Sequence, residues 1–413
     1  MAKFGIALGS GPRGHGFKSR HSDQKPTSSV LSVFIYSVKI EEKAMLIKVK
    51  TFVKKEVVFV ISALCAILTM FFVAPDKSYI EYIDFRVLCL LFCLMAVVAG
   101  FKSIGVFRWL TNNLLSKIKN GKILSAVLVM LPFFSSMLVT NDVALVVFVP
   151  FTIALLIQLG FSKSIIPVIV MQTVAANLGS MATPVGNPQN LFLYSAFNLS
   201  AAEFFSVVLP LTVVSFIIVL CISIGIIPGK LPQLSHKKEN IENIKILIIY
   251  AVLFVLCLLT VFRIVPYILT TVVVAFALLI FNRNLFKEID YMLLLTFVCF
   301  FIISGNLGNI EAVRSFLSEL LQKSTLFTSV GASQVISNVP AAVLLSEFTD
   351  DWKSLLQGVN IGGLGTPVAS LASLITLKLY MKSEKTNVLK FIGWFSAVNV
   401  IGLIILCTFA YLT

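Results

Sequence analysis

The chain has 413 residues, 58% of them hydrophobic and only 13% charged, with a mean hydropathy of +0.97. Soluble domains carry about a quarter charged residues, and apolar runs near the ~20 residues that cross a bilayer recur here, so the sequence is that of an all-α polytopic membrane protein. The net charge of +14 comes from Lys and Arg flanking apolar spans, where they set topology and meet anionic lipid; a nucleic-acid partner is excluded.

In chain order, residues 1–44 are polar and basic, with one apolar patch at 30–36 that is too short to span and no cleavable signal. Met45 resembles a natural start, and 1–44 are expected to be disordered or a non-native extension. A first repeat occupies 45–228. Spans are expected at 57–74 and 85–101, then an amphipathic segment, 102–122, with five basic residues and no acidic one, lying on the cytoplasmic surface. Apolar stretches 124–138 and 143–159 flank Thr140-Asn141-Asp142 and read as the arms of a re-entrant hairpin. The next span, 165–196, is long and broken at 177–188, and 204–227 returns to a basic cytoplasmic linker at 229–245.

The second repeat, 246–413, begins with spans at 246–262 and 267–281, one more than its counterpart. Ile289-Asp290-Tyr291 then opens a span ending near Ile303, as Ile83-Asp84-Phe85 opens the matching one. An amphipathic segment at 310–321, a hairpin around Ser337-Asn338, a broken span at 355–379 and a last span at 389–411 follow. The second amphipathic segment carries Glu311 and Glu319 against Arg314, so the two segments face opposite sides. The repeats are therefore expected to be inverted, with the N-terminus cytoplasmic and the C-terminus outside the plasma membrane.

Broken helices at matching places in two halves point to a transporter's binding site. Asn177 precedes Thr183 by six residues, as Asn360 precedes Thr366. Helix N-termini at the tips and breaks offer free N–H groups to an anion. Helix C-terminal carbonyls and Ser, Thr and Asn oxygens suit Na⁺. Glycine permits the unwinding and proline sets where a helix restarts. Substrate-binding candidates on this basis are Thr140, Asn141, Asp142, Thr183, Pro184, Asn187, Ser337, Asn338, Thr366 and Pro367. Ion-binding candidates are Thr140, Asn141, Asp142, Asn177, Asn338 and Asn360. Each has a plainer alternative: Asn141, Asp142 and Asn338 as helix N-caps, and the Gly and Pro residues as kinks or packing points. Asp142 is the one acidic residue placed deep in the membrane, a costly position that marks function, although capping of a helix from Val143 fits it equally.

TNDVALVVFVPF and AANLGSMATPVGNPQNLFLY resemble the ion transporter superfamily over about residues 57–411. That group includes arsenite permeases, citrate–metal permeases, sodium–proton antiporters and divalent-anion–sodium symporters. The symporter branch has Ser-Asn-Thr at both tips, which the resemblance lays onto Thr140-Asn141-Asp142 and Ser337-Asn338-Val339. The resemblance adds Val339 to the substrate set. It also adds Ser136, Ser333, Gly179 and Gly362 to the ion set. Asp142 in place of a neutral hydroxyl, and Val339 without one, bring the tips closer to the arsenite, citrate–metal and antiporter branches.

The expected function is secondary active transport of a small anion, a di- or tricarboxylate or similar oxyanion, coupled to Na⁺ or H⁺ by alternating access, with no other cofactor and no resident metal. Arsenite or antimonite efflux, Na⁺/H⁺ antiport and, from another class, an ion channel remain alternatives. An enzyme is not expected: His15, His21 and His236 lie in the tail or a basic loop, Asp142 has no acidic mate in the sequence pattern, and the seven cysteines sit in apolar runs without metal-site spacing. The uniformly apolar spans over 246–281 read as a scaffold facing lipid or a second copy in a homodimer.

Overall fold

The computed structural model describes residues 43, 45, 47, 49–53, 56–115, 118, 120–229, 243–383 and 386–413. The expectation for the N-terminal stretch falls almost wholly, and that for the linker largely, outside the described residues. Two compact units divide at Val57. In the first, Thr51 donates its hydroxyl to the Ile47 carbonyl within a helical stretch. The second carries the membrane helices.

It opens with α1 (Val57–Met70), the short α2 (Ser78–Tyr82) and α3 (Phe85–Ser103). α4 (Val106–Leu115) is the first amphipathic helix. α5 (Gly121–Ser135) and α6 (Asn141–Gln158) form a hairpin, and α7 (Ile165–Ser180) and α8 (Pro188–Ala196) form one interrupted helix before α9 (Ala201–Ser223). α10 (Ile244–Val261) and α11 (Tyr267–Phe281) follow. The order then recurs: α12 (Tyr291–Gly308), amphipathic α13 (Glu311–Lys323), a hairpin of α14 (Thr325–Ile336) and α15 (Asn338–Leu345), an interrupted helix of α16 (Trp352–Ile361) and α17 (Leu371–Met381), and α18 (Val388–Leu412). Among the described residues α3, α6, α9, α10, α12 and α18 are long and apolar enough to cross a membrane.

Local chemistry sets the ends. Asp84 and Asp290, in matching positions, each accept the backbone N–H three residues on (Val87 and Leu293) and start α3 and α12. Ser200 and Glu203 form a reciprocal capping box on α9. The second hairpin departs from the first in its return arm: α6 has 18 residues and α15 only 8. The polar run Thr349-Asp350-Asp351 ends the apolar stretch early, and Asp351 caps α16 through the Ser354 N–H.

The return arm of each hairpin packs on the second half of the other interrupted helix, α6 against α17 and α15 against α8. One apolar cluster holds the first hairpin, α7, α17 and α18; another joins α3, α10, α11 and α12 to α8, α15 and α16. The far end of α8 is tied to the helices around it by polar bonds. Ser195 Oγ donates to Asp84 Oδ2 at 3.0 Å. Arg263 donates to the Asn198 and Tyr194 carbonyls at 3.1 and 3.2 Å and lies 5.6 Å from the Tyr194 ring centroid. α10 and α11 leave Ile248, Val252, Val255, Val272 and Phe276 exposed, an outward face that suits lipid.

Candidate functional site

Each hairpin tip is seated in an interrupted helix by contacts that recur, residue for residue, in the two halves. The N–H of Asn141 donates to the Gly186 carbonyl at 3.2 Å, and that of Asn338 to the Ala369 carbonyl at 3.0 Å. Thr183 Oγ1 donates to the Met137 carbonyl at 2.5 Å, and Thr366 Oγ1 to the Gln334 carbonyl at 3.1 Å. Gly179 lies against Ser136: a Cβ there would come within 2.1 Å of the Phe133 carbonyl oxygen and 2.8 Å of Ser136 Oγ. Gly362 lies against Ser333 in the same way, a Cβ meeting its Oγ at 2.7 Å. Ser136 and Ser333 are fully buried and turn their hydroxyl protons to local carbonyls, Phe133 and Ser329, which leaves oxygen lone pairs free.

Buried amides join the halves. Asn177 Oδ1 accepts from Asn141 Nδ2 at 2.9 Å and from Ser370 Oγ at 3.1 Å, and its Nδ2 donates to the Gly363 carbonyl at 3.3 Å. Asn360 Oδ1 accepts from Asn187 Nδ2 at 3.2 Å, and its Nδ2 donates to Asn190 Oδ1 at 2.7 Å. So the residue that starts each second half-helix, Asn187 or Ser370, reaches the break asparagine of the other half. These groups are at most 5% exposed, and loss of a partner leaves a desolvated donor or acceptor. A double-mutant cycle on Asn187→Ala and Asn360→Ala is expected to show a coupling of about 1 kcal/mol or more in thermal unfolding; strict additivity would mean the bond carries nothing.

The tips are open at their helix starts. Thr140 and Ser337 are the N-cap residues of α6 and α15, and neither caps through its side chain. The Asn141, Asp142 and Asn338 N–H groups are taken by the Gly186 carbonyl, Asn141 Oδ1 and the Ala369 carbonyl, and Pro340 has none. Val143 and Val339 therefore carry the first-turn N–H groups without an acceptor among the described residues. Ser337 holds φ 74 and ψ 154, a region almost reserved for glycine, with its hydroxyl 3.3 Å from the Ala369 carbonyl. Strain of this kind, of order 1–3 kcal/mol, gathers at ligand sites.

Asp142 is not a cap. It is the second residue of α6, and its own N–H is accepted by Asn141 Oδ1 at 3.0 Å. Its Oδ1 is buried without a hydrogen-bond partner among the described residues.

Other expected positions sit less centrally. The Val339 side chain is 6% exposed inside the apolar cluster with Val185 and Leu191, so only its backbone can face a ligand. Thr366 is exposed, and its N–H and hydroxyl are both held by Gln334. Pro184 is buried and Pro367 half-buried, and both shape the break loops. Three residues join the set beyond those expected. Gln334 donates to the Gly362 and Leu364 carbonyls, both at 2.9 Å. Asn190 holds the Met181 and Thr183 carbonyls at 3.1 and 3.2 Å. Ser370 is the third; Asn187-Pro188-Gln189-Asn190 was the available signal for the second.

A family model described as citrate transporter matches residues 44–350. An uncharacterized transporter of Methanocaldococcus jannaschii is 32% identical over 336 residues, 79% of this chain and 90% of that protein. The inner membrane protein YbiR of Escherichia coli is 31% identical over 318 residues, 76% and 84% of the two chains. The silicon efflux transporter LSI3 of Oryza sativa subsp. japonica is 33% identical over 138 residues, 33% of this chain and 28% of its own.

Proposed function

Because the chain belongs to the citrate transporter family, we propose that it is a secondary active transporter for a small oxyanion of the di- or tricarboxylate class, coupled to Na⁺ or H⁺. It works by alternating access in the plasma membrane, with its halves related as inverted copies, its N-terminus cytoplasmic and its C-terminus outside. The observation that carries the proposal is the duplicated tip: two helix starts, each seated in a break with one first-turn N–H left without an acceptor, and beside the first a carboxylate oxygen of Asp142 buried without a partner among the described residues. The helix starts supply positive poles for the anion, while Asp142 with the Ser136, Thr140 and Asn177 oxygens supplies the cation's side. Ser333, Asn338 and Asn360 are the matching groups of the second half. A homodimer, holding α10 and α11 as fixed scaffold while the hairpins and broken helices move, completes the proposal.

A second reading, efflux of a metalloid oxyanion, is favoured by Asp142 itself, which places negative charge where a dianion would sit, and by the partial likeness to a silicon efflux transporter. Thermal unfolding of the purified protein separates the two. Citrate, succinate, phosphate and arsenite are each added with and without Na⁺, at two pH values. A ligand at a hundred times its Kd stabilises by about 2.7 kcal/mol. Di- or tricarboxylate stabilisation that needs Na⁺ or acid is the expected result, and stabilisation by arsenite alone would favour the second reading. No shift with any anion or cation would contradict both.

A further inference from the structure

A cavity of about 510 Å³ opens between α3, α4, α6 and the turn at Arg283–Lys287. Its polar wall is Lys102, Arg108, Asn282 and Asn284, with Glu288, and its apolar wall includes Val146 of α6. Lys102 and Glu288 pair at 3.7 Å. Arg108 forms no ion pair among the described residues, so the wall is left with one uncompensated positive charge. Val146 stands four residues after Asp142, on the same face of α6 and one turn, about 5.4 Å, further along. Val146 is 40% exposed where it lines the cavity. On α6 the cavity wall runs over Val146, Val147 and Phe151, so its end nearest the first tip stands one helical turn from Asp142.

We propose that this cavity is the vestibule through which a small oxyanion reaches the tip from the α4 side, with Arg108 as the residue that collects it. The proposal rests on the transport function above and deepens it by placing the anion's path. An oxyanion here meets one unpaired guanidinium, a planar donor fork suited to carboxylate or phosphate. The low-dielectric wall of Val146, Val147 and Phe151 concentrates the field of that charge. A lipid phosphate shares this chemistry, so the test must tell the two apart.

The probes are methanethiosulfonates carrying a sulfonate or a quaternary ammonium, applied from either side to Val146→Cys in vesicles. The background keeps buried Cys93 and Cys257 and replaces the other five native cysteines. We expect modification from the α4 side, with the anionic reagent favoured on the order of tenfold after normalisation to a free thiol, and that preference lost in Arg108→Gln. Asn284→Cys, on the opposite wall, is expected to show the same preference and serves if Val146→Cys does not insert. An unchanged ratio in Arg108→Gln, or reaction from the other side only, would overturn the proposal. So would protection that appears only when phosphatidylglycerol is added to a zwitterionic bilayer, which would make the cavity a headgroup site. The labelling reads the cavity independently of flux, whereas the transport function stands or falls on ligand binding and flux, so the two failures are distinguishable.

Discussion

Asp142→Asn is expected to abolish coupled transport while leaving the fold as stable as before or slightly more so. A capping role would leave transport intact as well, because Asn caps as well as Asp. The geometry removes that role: Thr140 occupies the cap position, and Asp142 makes no side-chain bond to the helix start. What the side chain contributes is a buried carboxylate oxygen with no partner, and burying an uncompensated charge costs free energy. The isosteric amide removes that cost and keeps the volume. It also removes the charge that a proton or Na⁺ would neutralise during the cycle. A midpoint of thermal unfolding within a degree or two of wild type, or above it, together with loss of gradient-driven flux, is the expected pair of results. Normal flux with unchanged Na⁺ and pH dependence would remove Asp142 from the mechanism.

Gly186→Ala is expected to be among the most destabilising single methyl additions in the protein. A Cβ there would lie 2.1 Å from the Ser180 carbonyl oxygen and 2.7 Å from that of Ser136. Both obstacles are backbone, so no rotamer change relieves the contact, and the break would have to part from the tip. Overpacking of a well-filled interior costs about 1–3 kcal/mol and sometimes more; here the upper end or beyond is expected, seen as loss of folded protein after detergent extraction. Gly179→Ala, 2.1 Å from the Phe133 carbonyl oxygen, should behave alike. Gly393→Ala is the control: nothing stands within 4 Å, and Ala favours the helix by about 1 kcal/mol. Equal stability for Gly186→Ala and Gly393→Ala would mean that the tip and break do not touch as described.

The local parts of this arrangement were legible in the sequence. Gly, Pro and Asn are poor residues for the interior of an apolar helix, so their clustering over 177–188 and after Asn360 announced the interruptions, although α7 continues through Asn177 and Gly179 to Ser180 and only 181–187 break it. Thr140-Asn141-Asp142 and Ser337-Asn338 announced the tips for the same reason. The recurrence of a six-residue Asn-to-Thr interval marked the halves as copies, and both intervals do the same work, with the threonine fastening the outgoing arm. What escaped depends on distance in sequence. The bonds Asn187–Asn360 and Ser370–Asn177 join residues 173 and 193 positions apart, and no local pattern specifies which buried amide answers which. Asp142 as a non-capping carboxylate escaped because a two-residue shift of the helix start, from Val143 to Asn141, decides it. The packing of Val339 into the apolar cluster follows from the crossing of α15 over α8, a tertiary feature, and the short α15 follows from the early polar run at Thr349.

Tracer flux in proteoliposomes, with Na⁺ and pH gradients imposed in turn on wild type and Asp142→Asn, tests the central claim most directly. The tracer is the oxyanion that stabilises the purified protein. For wild type, accumulation above equilibrium under one of the two gradients, collapsing when an ionophore dissipates it, is the predicted result, with no accumulation for Asp142→Asn. Flux of the same size whatever the gradient, or resolvable unitary currents in a planar bilayer, would contradict a cation-coupled carrier built on these two tips.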